Sequence, residues 1–187
     1  MDRTTRQAAL WATAVAVPLT LIVAVVAIVT ARPDGSAAAE PSPTPPRPQS
    51  TTPVEMAAPA LSTRAATVCR ALLSRLPGSI RELHQRPVTE GAEQNAAYGD
   101  PAITVACGVP MPSIPPTDLV YALSRVCWHS ADRPDATEWT TVDREVPVRV
   151  TVPKRYDQPG QWTIAFSDPV IAAVPSLKQI PTGCGGS

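Results

Sequence analysis

In "YGDPAITVACGVP", residues 98–110, a short alternating run is fenced by Gly99-Asp100-Pro101 on one side and Gly108-Val109-Pro110 on the other. Ile103, Val105 and Cys107 alternate with Ala102, Thr104 and Ala106, the period of two expected of a half-buried strand. Cys107 therefore shares a face with two β-branched residues. The Gly-Asp-Pro triplet turns the chain into this strand, and Gly108 and Pro110 end it. A nucleophilic Cys107 would need a base within hydrogen-bond reach. The only histidines are His84 and His129, and no spacing links either to it. The stretch reads as a framework strand carrying a staple.

Upstream, "LSTRAATVCRALLSRLPG" from Leu61 places Ala65, Val68, Cys69, Leu72, Leu73 and Leu76 on one helical stripe, with Ser62 or Thr63 as cap and Pro77-Gly78 as stop. Cys69 falls on the buried face. A weakly patterned stretch with Arg81, His84 and Arg86 separates this helix from the strand. Downstream of a Pro-rich loop, "DLVYALSRVCWHS" fits either a helix or one or two strands; alternation of Val126 and Trp128 before the turn "ADRPD" favours strands. In "EWTTVDREVPVRVTVP", Val146, Val148, Val150 and Val152 share a face, and Pro147 predicts an edge position or a bulge. "QWTIAFS" alternates again, with Trp162, Ile164 and Phe166 together, and Asp168-Pro169 starts a short helix through about Val174. The fold class expected is α+β: an N-terminal helix packed on a small antiparallel or mixed sheet of four or so strands, covered on one face.

The N-terminal third is different in kind. Leu10–Thr30 carries no charge over 21 residues, about 31 Å as a helix and enough to cross a bilayer. Arg3 and Arg6 on its leading flank, against Arg32 followed by Asp34, place the N-terminus in the cytoplasm and the bulk of the chain outside. The apolar run is long for a cleaved signal peptide, although "SAAAE" at 36–40 leaves cleavage open. Pro33–Pro59 then contains eight prolines and few large apolar residues, so it is expected to be an extended linker, a spacer or a passive tether. The expected organisation is a cytoplasmic tail at 1–9, a transmembrane signal anchor at 10–30, a Pro/Ala-rich disordered linker at 31–60 and an extracytoplasmic domain at 61–187.

All four cysteines, Cys69, Cys107, Cys127 and Cys184, lie on the outer side of that membrane segment, where an even number reads as disulfides. Three pairings exist. Cys69 and Cys107 both sit on apolar faces that must pack together, which favours that pair, and Cys127 with Cys184 follows by elimination. Spacings of 38, 20 and 57 residues contain no C-x2-C knuckle, so no metal site is expected.

Other chemistry is sparse. From residue 62 onward 12 Lys/Arg face 12 Asp/Glu, so no basic stripe for nucleic acid is expected. No H-E-x-x-H, G-x-S-x-G or S-x-x-K occurs. Asp132, Asp135, Glu138 and Asp143 lie in or beside a turn, where solvated turn chemistry is the plain reading. Cys127-Trp128-His129 puts Cys127 and His129 on one strand face without a third partner. Trp128, Trp139 and Trp162 could line a carbohydrate- or peptide-binding surface; in a domain with a single Phe, a core role is favoured. No catalytic residue and no cofactor is expected.

"CRALLSRLP" at 69–77, "YGDPAITVACGVP" at 98–110, "VCW" at 126–128 and "DREVPVRVTVP" at 143–153 together resemble the DUF3515 family of actinobacterial membrane-anchored or secreted proteins, over nearly all of residues 61–187. The resemblance implies that Cys69 and Cys107 occupy the family's regular cysteine positions, that Cys127 and Cys184 are an additional pair, and that Tyr98 stands where Trp is usual. It implies a cell-envelope setting and no activity.

The function expected is a non-enzymatic extracytoplasmic binding or scaffold module, anchored in the cytoplasmic membrane through residues 10–30 and engaging an envelope protein or wall polymer. The alternative is an enzyme or accessory factor acting on cell-wall precursors or polymers, with Asp132, Asp135, Glu138 or His129 as acid or base.

Overall fold

The structure, a computed structural model, describes residues 49–180 and 182–184. The tail at 1–9, the expected membrane segment at 10–30 and the linker as far as residue 48 lie outside the described residues. Among the described residues no helix is long and apolar enough to cross a membrane.

The leading helix, α1 (Thr63–Leu73), is capped by Ser62, whose hydroxyl accepts the Ala65 N–H at 3.2 Å, and it buries Val68, Cys69 and Leu72. Eight strands follow: β1 (Ser79–Ile80), β2 (Leu83–Arg86), β3 (Asn95–Tyr98), β4 (Ile103–Cys107), β5 (Val120–Leu123), β6 (Val126–Asp132), β7 (Ala136–Thr141) and β8 (Val148–Pro153). Their order in the sheet is β1-β2-β3-β4-β8-β7-β6-β5, and every named pair is antiparallel. Two four-stranded meanders thus meet at β4 and β8. The chain closes with α2 (Pro159–Thr163), a 3-10 turn (Ile164–Phe166) and α3 (Ser167–Ala173).

The register sorts the side chains. Ile103, Val105 and Cys107 of β4 lie beside Val148, Val150 and Val152 of β8, and Trp139 and Trp128 continue the same face through β7 and β6. The three helices cover it: Val68 and Leu72 of α1, Trp162 of α2, Phe166 of the 3-10 turn and Val170 of α3 all join the core. This is sheet hydrophobicity closed from one side, as the period of two demands.

Four differences from expectation have physical causes. The sheet is antiparallel in its named strands, one of the two arrangements expected, but it has eight strands instead of four or so, because β1, β2 and β3 fall in the weakly patterned stretch; β3 is "NAAY", buried on both faces and therefore without alternation. Pro147 is neither at an edge nor at a bulge within the strand. It precedes β8, a central strand, so the sheet loses no ladder donor to it. "QWTIAFS" is helical: Trp162 and Phe166 are four residues apart, and with Val170 and Val174 they form a buried helical stripe that outweighs the two-residue alternation. The helical cover consequently comes from both ends of the domain, and most of it from the C-terminal end.

The last part of the expected linker also behaves as structure. Val54 makes a parallel bridge with Val88, and the Arg86 guanidinium donates to the Thr52 carbonyl and to the Ser50 hydroxyl. Asn95 and Gln94 donate side-chain N–H groups to the carbonyls of Ala57 and Pro59. Residues 49–60 therefore form a strap tied to β2 and β3 by buried polar side chains, which offset the ordering entropy that the proline content alone would leave uncompensated.

Candidate functional site

The staple in the opening strand comes first. Cys69 of α1 is bonded to Cys107 of β4, with a Cα–Cα distance of 5.5 Å, and Cys127 of β6 is bonded to Cys184 in the tail. No described cysteine is free. Both sulfurs of the first pair are buried in the core, where their bond holds the leading helix onto the sheet.

The three tryptophans are largely buried. Trp128 is 0 % exposed, and Trp139 and Trp162 are each 7 % exposed. Trp128 and Trp139 project from the sheet into the helix layer, where residues of this size supply most of the buried apolar area. Trp162 packs against Tyr156 with ring centroids 4.9 Å apart and donates its indole N–H to the Asp157 carbonyl.

The four candidate acids and bases share the β6–β7 hairpin, but three of them are held by charged partners of their own. Asp132 accepts from the Lys154 ammonium, and that hydrogen bond holds its carboxyl below the usual carboxylate range. Asp135 is exposed in the turn, where only its backbone carbonyl is engaged, by Lys154 N–H. Glu138 takes two hydrogen bonds from Arg133, at 3.0 and 2.9 Å, and lies 3.8 Å from the Arg149 guanidinium. His129 Nε2 is 3.0 Å from Asp118 Oδ2, and the residue is 6 % exposed. The Asp118 pair orients the imidazole in the manner of a catalytic dyad, yet little ring surface is left for a substrate to reach. Among the described residues no group of three metal-ligating side chains converges.

Part of the sheet face opposite the helices stands open, although His129 and Thr140 on it are buried. His129 and Thr140 are cross-strand partners there, Thr140 is in turn opposite Arg149, and Arg149 is opposite Ala106. A groove of about 340 Å³ runs over this face. Thr104, Ala106, Thr151, Glu138 and Arg149 form its floor, and Met56 of the strap stands over it. Its chemistry is that of a shallow amphipathic trough: methyl groups and threonine hydroxyls beside an ion pair, with no reactive constellation.

Residues 14–178 match the family DUF3515, described as a protein of unknown function. The chain belongs to this family. No curated protein and no solved structure matches it. In this DUF3515 chain the sequence reading passed over Asp118, Thr140 and Arg149. Asp118 was legible only through register: Val120 pairs with His129, so a residue two earlier on the same face comes beside the ring. That register depends on Ser124-Arg125 forming the two-residue turn, with both φ positive at 46° and 65°, which is an unfavoured choice for non-glycine residues.

Proposed function

We propose that this chain is a non-enzymatic module of an actinobacterial cell envelope, held in the cytoplasmic membrane by residues 10–30 and binding an envelope protein or a wall polymer outside it. The observation that carries the reading is the contrast on the β6–β7 hairpin and its neighbours. Every candidate acid or base but the turn residue Asp135 has its own charged partner, while the groove beside them remains open. Two disulfides agree with an oxidising compartment. The uncharged run and the proline-rich segment after it supply an anchor and a stalk. Crosslinking in intact cells followed by pulldown of the full chain tests the proposal. Enrichment of a defined envelope protein or wall fragment is expected, and recovery of the chain alone would count against it.

The second reading, an enzyme or accessory factor acting on wall precursors or polymers, draws on the His129–Asp118 pair. It requires loss of a measurable turnover in a His129→Gln variant that retains the fold.

A further inference from the structure

A pocket of about 390 Å³ lies between the β1–β2 turn and the segment leading into α2, away from the groove. Arg81, Arg155, Asp157, Gln158 and Gln161 surround it, and Trp162 forms its apolar wall. Arg81 lies over that wall with its guanidinium carbon 4.2 Å from the ring centroid. Neither Arg81 nor Arg155 makes an ion pair among the described residues, although most of the other domain arginines do. Two arginines without an ion-pair partner therefore line one cavity, together with Gln158, Gln161 and Asp157.

Backbone conformation adds an independent observation. Arg81 occupies the first position of the two-residue turn between β1 and β2 with φ of 51°, where glycine is the favoured residue. Gln158, on the opposite rim, holds φ of 52° directly before Pro159. Side chains held in sparsely populated backbone conformations gather where a ligand is clamped. Among the described residues, two of the four positive-φ non-glycine residues border the same pocket.

We propose that this pocket binds an oxyanion, a phosphate or a carboxylate, carried on a hydroxyl-bearing compound. The planar guanidinium forks match either oxyanion. The Gln158 and Gln161 amides and the Asp157 carboxylate supply donors and acceptors for hydroxyl groups. The assignment stands apart from the envelope reading, which concerns the groove on the opposite face. Capture of a partner in cells without anion binding would sink only the pocket.

The test uses the full chain in detergent micelles and follows the indole N–H resonance of Trp162, identified by its loss in Trp162→Phe. Three probes share one carbon skeleton: glycerol 3-phosphate, glycerate and glycerol. A saturable shift with at least one of the two anions, and none with glycerol, is expected; which anion shifts it names the oxyanion. Arg81→Gly and Arg155→Gln should each weaken that binding by about tenfold, the loss expected for one charge-assisted hydrogen bond. Arg81→Gly also relieves the positive φ, so it should bind poorly without a lower unfolding midpoint, whereas an arginine retained for packing alone would lower the midpoint and leave binding intact. Arg155 is exposed, so its variant keeps the test decisive should Arg81→Gly misfold. No saturable shift with either anion, equal binding of glycerol, or unchanged affinity in both variants would overturn the proposal.

Discussion

Tyr98 shows how much one residue of the opening stretch does. Its ring is fully buried against Phe166, with centroids 5.6 Å apart, and its hydroxyl donates to the Pro77 carbonyl at 2.8 Å. Burial pushes the phenol up to about 12 from the ordinary 10. The folded value lies above the unfolded one, so the stability tied to the neutral phenol is complete below about pH 10 and is lost as pH rises through about 12. At roughly 1.4 kcal/mol per unit, the loss is of order 2–3 kcal/mol. Denaturant unfolding across this alkaline window should show the decline in the wild-type chain. Tyr98→Phe should lose most of that slope and, for the missing hydrogen bond, about 1 kcal/mol at neutral pH. A smaller slope should survive, because burial and the nearby Asp100 also raise Tyr156. At this scale Cys69 and Cys107 were legible, since a helical stripe and a strand alternation each fix which face a thiol occupies. Asp118 and Arg81 were not, because their roles depend on turns whose positive φ the sequence gives no glycine to announce.

The elements were legible where one face is apolar and the other polar. β4 and β8 bury every second residue, and that pattern survives in the sequence unmixed. β3 is buried on both faces and carries Asn and Ala, so neither periodicity nor propensity marks it. The Trp162–Phe166 segment satisfies both periods at once. Pro159 at the first helical position was the local signal that favours a helix there. The strap was hidden by composition, since its order depends on side chains from β2 and β3. Arg86 is the central tie: its guanidinium reaches the carbonyls of Gly99 and Thr52 and the Ser50 hydroxyl, and sits 3.6 Å from Asp100. Arg86→Ala should cost about 2–3 kcal/mol, as expected for several hydrogen bonds to one buried charge. It should also open residues 49–60 to limited proteolysis before the rest of the domain. Equal cleavage in variant and wild type would show that the strap is held by other contacts.

Over the whole molecule, two disulfides close loops of 38 and 57 residues, one joining helix to sheet and the other tying the tail to β6. In the chain-entropy account each contributes up to about 4 kcal/mol. Replacing Cys127 and Cys184 together by Ser should lower the denaturant midpoint while leaving the core face intact, because Cys184 brings only the tail. Replacing Cys69 and Cys107 should cost more, since both lie in the core cluster. The open groove was not legible in the sequence. It arises only when two meanders join at β4 and β8 and bring Thr104, Thr151, Glu138 and Arg149 onto one surface. The central claim is that this surface, and not the helical layer, meets a partner. A photo-crosslinking residue placed at Thr151, on the groove floor, and separately at exposed Arg70 on α1, tests it in intact cells. The account predicts a discrete adduct from position 151 and none from position 70; no adduct at 151, or equal adducts from both, would contradict it.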